Sequence, residues 1–362
     1  MSSYGKVIHI NLFGESHGKS IGIVINNLPA GLQLDMERIY HALYKRRPKS
    51  SLSTPRQEKD AFEIVSGYFN DKTTGTPLTI VIPNKDTRSR DYNPSILRPS
   101  HADYTGKIKY NDSNDYRGSG HFSGRITTPL VILGAICEQI LQSKGIYVSS
   151  HIKSIKDIND DDFSKTSLNI DTALSLNLSD FPTINSSVKE AMEETILNAK
   201  EQKDSVGGII ETAIIGIAPG YGNPFFDSIE SILSHLIFSI PAVKGIEFGK
   251  GFDITKLYGS EANDDFTLEN GFIKTSSNNS GGIQGGITNG MPITFKTAIK
   301  PTASIGKPQK TIDTNTMEEV ILELEGRHDP CIVHRVIHVI NAITNYGILD
   351  IILQSEGTKW IK

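Results

Sequence analysis

Ile21-Gly22-Ile23-Val24-Ile25 is an unbroken apolar run of strand length, closed by the turn Leu28-Pro29-Ala30-Gly31, and it predicts a buried strand. After Asp35 the period lengthens. Met36, Ile39, Ala42 and Leu43 share one face of a helix that Asp35 caps, Lys45-Arg46-Arg47 ends and Pro48 stops. Ile64 to Val81 reads as a hairpin, returning through Thr74-Gly75-Thr76-Pro77 into Leu78-Thr79-Ile80-Val81. The second half repeats this grammar. Gly207-Gly208-Ile209-Ile210 passes through Ile217-Ala218-Pro219-Gly220 to a helix over roughly Asp227 to Ser239, and Gly286 to Pro292 opens the strand Ile293-Thr294-Phe295. A strand, a Pro-containing glycine turn, a helix and a Gly-x-Pro hairpin thus occur twice, as an internal duplication would produce.

Between the halves, Pro129 to Ser143 starts on proline, ends at Gly145 and is apolar nearly all round, which predicts a central buried helix. Val188 to Gln202 is amphipathic and rich in Glu and Lys, a surface helix. The stretch from Ile152 to Asn185 is rich in Asp, Ser and Asn and reads as a peripheral excursion with an edge hairpin.

With 362 residues the chain has length for two average domains or one large one. A net charge of -4 argues against a generally basic nucleic-acid binder. The two cysteines, Cys137 and Cys331, suit a reducing cytosol and supply neither a disulfide framework nor a thiolate metal site. Met1 to Lys6 lacks the basic start and apolar stretch of a signal peptide. The longest apolar run, Pro129 to Cys137, falls short of the roughly 20 residues of a bilayer span. A soluble, cytoplasmic protein with no membrane or nucleic-acid partner is expected.

Three polar islands carry candidate chemistry: Gly14-Glu15-Ser16-His17-Gly18, Arg98-Pro99-Ser100-His101-Ala102-Asp103 and Gly326-Arg327-His328-Asp329-Pro330. Each sets a histidine within two residues of a carboxylate, among glycines or prolines that exclude regular helix, and imidazole exchanges protons near neutral pH. Basic residues cluster at Lys45, Arg46, Arg47, Lys49 and Arg56, then at Arg88, Arg90 and Arg98, an electropositive basin for a small phosphorylated anion or a helix end paired with its dipole. The loop from Asp115 to Arg125, with Gly118, Gly120 and Gly124, runs into the buried helix and offers backbone N–H groups as an anion seat. It is no dinucleotide fingerprint, and neither a Walker lysine nor a His-Glu-x-x-His helix occurs. At this level the chain has anion seats, arginines and proton-transfer histidines. A metal-dependent phosphohydrolase using His17, His101 and Asp329 remains open at this level.

The islands in this order, with Asp115-Tyr116-Arg117-Gly118-Ser119-Gly120, Thr74-Gly75-Thr76-Pro77, Gly281-Gly282-Ile283-Gln284-Gly285-Gly286-Ile287 and Lys300-Pro301-Thr302, closely resemble the chorismate synthase family over almost the whole chain. The resemblance implies a phosphate lyase: anti-1,4-elimination of phosphate from 5-enolpyruvylshikimate 3-phosphate, giving chorismate for aromatic amino acid biosynthesis. It also implies reduced FMN as cofactor, with NADPH or a separate flavin reductase as the source of electrons. The implied fold is one α+β domain over residues 1–362, a β-α-β sandwich with antiparallel sheets around a helical layer and a pseudo-two-fold, assembled as a homotetramer.

Carried over by position, the resemblance implies catalytic roles for His17, His101 and Asp329, supported by Ser16 and Ser123. Arg46, Arg47, Arg125 and Arg327 would hold the substrate, and Arg46 would also meet NADPH. FMN would contact His121, Phe122, Ser123, Pro241, Ala242, Gly285, Lys300, Pro301, Thr302, Ala303, Ser304 and Arg327. The chain departs from the family pattern at Lys49 and Leu52, at His121-Phe122-Ser123-Gly124 before Arg125, and at Pro241.

Overall fold

The structure is a computed structural model describing residues 2–48, 52–53, 58–85, 93–324 and 328–357. The apolar strand Ser20–Ile25 lies at the centre of a five-stranded antiparallel sheet, between Ile10–Gly14 and Leu78–Pro83, with Ser3–Tyr4 and Glu63–Ser66 at the edges. Its pairing with the last strand sets Ile21 opposite Ile82, Ile23 opposite Ile80 and Ile25 opposite Leu78. All six are buried, so a slip of one residue would turn the core face to solvent; the apolar pattern fixes the register. A second antiparallel sheet runs Val243–Phe248, Ile293–Ile299, Gly208–Ile215, Tyr147–Ile155, Ile158–Asn159.

Helices fill the space between the sheets. Met36–Arg46 packs on Thr128–Gln142, that helix on Val333–Glu356, and Val333–Glu356 on Ile229–Phe238. Thr128–Gln142 touches the first sheet and Val333–Glu356 the second, giving the α+β sandwich expected. The two central helices approach closely because Gly134 carries no side chain: a Cβ there would lie 2.3 Å from Ala342. Asp35 caps Met36–Arg46 by accepting from the Arg38 N–H, as its spacing predicts. Val333–Glu356, the longest helix among the described residues, has no counterpart in the reading of the sequence.

The duplicated grammar is matched atom for atom at its turns. Buried Thr73 donates its hydroxyl to the Pro29 carbonyl, its carbonyl accepts from Gly31 N–H at 2.7 Å, and its Oγ1 accepts from Leu32 N–H at 2.9 Å. Buried Thr288 repeats the set with the Ala218 carbonyl, Gly220 N–H and Tyr221 N–H at 2.7, 2.9 and 3.0 Å. Gly31 and Gly220 both have positive φ, at 83° and 105°, which explains the glycine in each turn. In each half the strand after the helix is an edge strand, and the next one inserts beside the first. This is the pseudo-two-fold.

The excursion begins differently from expectation. Ile152 and Ile155 are core residues of the strand Tyr147–Ile155, so the peripheral part starts only beyond them. It holds the short edge strand Ile158–Asn159 and a helix, Ile170–Leu178, that composition did not announce.

Candidate active site

The C-terminal ends of Met36–Arg46 and Ile229–Phe238 meet the N-terminal ends of Thr128–Gln142 and Val333–Glu356 around a cavity of about 760 Å³. Equivalent parts of the two halves thus face each other, with different side chains. The first half brings Arg46, Arg47 and Arg125; the second brings Ile240, Pro241, Ala242 and Val243, backed by Ile332, Val336 and Val339. Among the described lining residues, six cations (Arg46, Arg47, Arg98, Arg125, Lys300 and Arg335) face three carboxylates, Glu58, Asp60 and Asp329. A protein of net charge -4 therefore concentrates positive charge at this site, beside helix N-termini that also favour anions.

The second island is a closed network. His101 Nδ1 lies 2.8 Å from Asp103 Oδ1 and Nε2 lies 3.1 Å from the Ser119 hydroxyl. Arg98 donates from its backbone N–H and Nε to Asp103 Oδ2, at 2.9 and 2.8 Å, and from Nη2 to Oδ1 at 2.7 Å. Burial alone would raise the Asp103 carboxyl; hydrogen bonds from His101 and Arg98 outweigh it and hold the acid far below the usual carboxylate range. The aspartate is a fixed anion that directs a proton onto Nδ1 and leaves Nε2 toward the cavity side.

Arg125 is gripped on every nitrogen. Nε donates to Asn84 Oδ1 at 3.1 Å, Nη1 meets Asp60 and Nη2 lies 2.7 Å from Glu58. Arg47 lies 3.7 Å from the same Asp60. Arg46 donates to the Gly124 carbonyl at 2.6 Å and the Thr127 hydroxyl at 3.0 Å, fixing the turn that opens the central helix. Asp329 is held by Arg335 at 2.8 Å, and Arg335 also donates to the Arg46 carbonyl. Beside it, burial and the Arg98 charge push the His328 pKa down, which keeps that ring neutral. Four lining residues other than glycine, Asp60, Ser100, Ser119 and Ala242, have φ of 47°, 58°, 71° and 75°, strain that clusters at this cavity.

Of the residues named from sequence, His101, Ser123, Arg46, Arg47, Arg125, Asp329, His121, Phe122, Pro241, Ala242 and Lys300 to Ser304 line this cavity. Ser16 and His17 stand one layer behind it. A Cβ on Gly118 would lie 2.3 Å from the His17 ring and 3.1 Å from Ser16 Oγ, so that glycine is what lets the cavity loop lie against them. The Ser16 N–H donates to the Gly120 carbonyl at 3.1 Å, and the Ser16 hydroxyl is buried without a hydrogen-bond partner among the described residues. His121 has its ring nitrogens on the Gly14 carbonyl and the Ser2 hydroxyl. Gly285 lies at the tip of the hairpin Ile283–Gln284 and Ile287–Thr288, away from the lining of the cavity in this chain. Arg327, Lys49, Arg56, Arg88 and Arg90 lie outside the described residues. Leu52 is buried. Among the described residues, no group of three or more His, Cys, Asp or Glu side chains is arranged to hold a metal.

Glu58, Asp60, Asn84 and Arg335 were missed. Glu58 and Asp60 follow a basic stretch as ordinary loop acids, and Asn84 follows a strand as turn residues do. The one available signal was for Arg335, an arginine in the first turn of a helix, where the dipole disfavours it and an anionic partner is wanted.

A family model described as chorismate synthase matches residues 8–353. A chorismate synthase of Thermococcus kodakarensis is 40% identical over 355 residues, covering 98% of each chain. One from Dehalococcoides mccartyi is 42% identical over 357 residues, covering 98% of this chain and 97% of its own. A solved structure titled as a crystal structure of chorismate synthase superimposes with a TM-score of 0.76 at 28% identity, covering 98% of this chain and 96% of that one.

Proposed function

The chain belongs to the chorismate synthase family, and we propose that the cavity between its two halves is where it carries out the family's reaction. The protein is a phosphate-eliminating lyase of the shikimate pathway, forming chorismate from 5-enolpyruvylshikimate 3-phosphate. The observation that supports this placement is the asymmetry of the walls: four of the six cations, Arg46, Arg47, Arg98 and Arg125, come from the first half, and the apolar face of Ile240, Pro241, Ala242 and Val243 comes from the second. A substrate with a phosphate and two carboxylates suits the first wall, through charge-assisted and bidentate arginine contacts. The second wall, with Lys300, Thr302 and Ser304 at its rim, fits a flat ring that carries its own phosphate. Reduced FMN held there would supply electron density to the substrate.

His101 donates a proton from Nε2 to the leaving phosphate, exchanging its bond to the Ser119 hydroxyl for one to a phosphate oxygen. Asp103, 2.8 Å from Nδ1, orients the ring so that Nε2 is the nitrogen presented for transfer. Asp329, oriented by Arg335, helps take up the substrate's C6 proton. His17 would act from beneath Gly118, with Ser16 and Ser123 supporting these transfers. Arg47, Arg125 and Arg327 hold the substrate's anionic groups, while Arg46 braces the Gly124 turn and meets NADPH if this chain reduces its own flavin; otherwise a separate reductase does. Pro241, Ala242, His121, Phe122, Ser123 and Lys300 to Ser304, all of which line the cavity, would hold FMN.

Exposed apolar side chains on the hairpin Phe266–Glu269 and Phe272–Thr275, among them Phe266, Leu268 and Phe272, support self-association, and the assembly proposed is a cytoplasmic homotetramer. Under anaerobic conditions with chemically reduced FMN, 5-enolpyruvylshikimate 3-phosphate should yield chorismate and inorganic phosphate in equal amounts. EDTA should leave the rate unchanged, and oxidised FMN without a reductant should give none. Absence of chorismate, or phosphate release without it, overturns the reading.

A further inference from the structure

Strand Leu78–Pro83 delivers Asn84 to the side of the cavity, where its amide makes three hydrogen bonds in two directions. Nδ2 donates to the carbonyls of Glu15 and Gly18, both at 2.9 Å. Oδ1 accepts from Arg125 Nε at 3.1 Å. The backbone adds a fourth, Asn84 N–H to the Lys19 carbonyl at 3.1 Å. The partners fix the orientation of the amide, because carbonyls only accept and a guanidinium only donates; a flipped amide would set like against like.

The two carbonyls flank Ser16 and His17, and Gly18 N–H closes the same turn onto the Glu15 carbonyl at 3.0 Å. The amide therefore clasps the turn that presents His17 under Gly118. Its other end meets a guanidinium whose remaining nitrogens rest on the nearly buried carboxylates of Asp60 and Glu58. The other half has a related device. Lys300, the first residue after strand Ile293–Ile299, donates to the Ser100 carbonyl at 2.7 Å, next to His101. In both halves a residue just past the strand end holds the turn that carries a histidine of the site.

We propose that Asn84 is a positioning residue for the elimination, one amide that sets the His17 turn and the Arg125 guanidinium at a fixed separation. This rests on the assignment of the reaction to the cavity. Asn84→Leu removes all three contacts. Asn84→Asp keeps an acceptor for Arg125 and turns an anion onto the Glu15 and Gly18 carbonyls, so it releases only the His17 turn.

The experiment measures anaerobic steady-state kinetics with reduced FMN, together with melting temperature, for both variants, for His17→Ala and for the Asn84→Asp/His17→Ala double variant. Asn84→Leu is expected to lower kcat by about 10²-fold and to raise KM, the scale of an ångström of misplacement. Asn84→Asp should lower kcat and leave KM near wild type, and it should add nothing in the His17→Ala background, because the two act on one turn. If Asn84→Leu does not fold, Asn84→Gln, with the same amide on a longer stem, provides the same comparison. A lowered melting temperature with unchanged kcat and KM in the folded fraction, or full additivity with His17→Ala, overturns the inference. If His17→Ala itself leaves kcat unchanged, it is the assignment of the reaction to these residues that fails.

Discussion

His101 and His151 each lean on an aspartate, at 2.8 and 2.9 Å, and they differ in what the second nitrogen meets. His151 Nε2 lies 2.8 Å from Glu211, its side chain is 0% exposed, and the Phe163 ring closes over its edge at 4.7 Å. Asp160 is itself saturated by the N–H groups of Ile184 and Asn185, and Glu211 by that of Phe163. His101 ends on a hydroxyl, its side chain is 19% exposed, and it lines the cavity. A hydroxyl can give way to a phosphate oxygen at little cost; a buried carboxylate cannot be replaced without leaving a charge unpaired. The lesson is that a histidine–aspartate pair indicates chemistry only where one partner is exchangeable. His151 instead fastens the excursion to the second sheet.

The comparison breaks first at activity. His101→Ala should lower kcat by about 10²–10⁴-fold, the range for losing a positioned general acid, with little change in melting temperature. His151→Ala should leave kcat per folded molecule unaltered and cost about 3–5 kcal/mol of stability, because Asp160 and Glu211 lose the cation between them. Denaturant melts and kinetics on the two variants decide it. A folded His101→Ala enzyme with near wild-type kcat removes the proton-donor role, and an active-site defect in folded His151→Ala removes the division between the two histidines.

Titration separates them next. Burial would lower the His151 pKa, but hydrogen bonds and charge from Asp160 and Glu211 raise it above its ordinary 6.5. A folded-state pKa above the unfolded one means the stabilisation is complete below 6.5 and is lost as pH rises through the folded value. Asp103, with its pKa lowered from 3.8, behaves oppositely: its contribution is present above 3.8 and is lost as pH falls through the folded value. Melting temperature should therefore decline on the alkaline side in the wild type and less so in His151→Gln, whereas Asp103→Asn should flatten the acid side. Identical alkaline slopes in wild type and His151→Gln would contradict the buried imidazolium.

These contrasts also explain what the sequence disclosed. The Gly31 and Gly220 turns were legible because each needs a positive φ within a local hydrogen-bonded unit, and local constraints write themselves into adjacent residues. The island at His101 was legible for the same reason, since Arg98 and Asp103 are neighbours in the chain. The His151 cluster was not, because Glu211 reaches it only through strand register, sixty positions later. Asn84 and the Asp60–Glu58 grip on Arg125 were hidden likewise, as pairings between distant loops. Helix Val333–Glu356 escaped because polar side chains, among them His334, Asn345 and Asp350, are buried among its apolar ones and break the pattern; Asp350 serves the N–H groups of Lys6, Val7 and Ile8 rather than solvent.

The smallest expected effect tests the exchangeable partner itself. Ser119→Ala removes the hydroxyl that Nε2 of His101 meets at 3.1 Å and that Arg98 reaches at 3.3 Å. If the hydroxyl only occupies Nε2 until a phosphate oxygen replaces it, its loss alters the resting enzyme and not the reacting complex. The change in kcat should then stay within about tenfold, the reach of a single neutral hydrogen bond of about 0.5–1.5 kcal/mol. Backbone strain does not confound the result, because alanine tolerates the φ of 71° at this position about as poorly as serine does. KM should move little or fall, since the substrate phosphate no longer displaces a competitor for Nε2. A drop in kcat approaching that of His101→Ala would mean that the hydroxyl relays the proton, and His101 would then resemble His151 in depending on a fixed second partner.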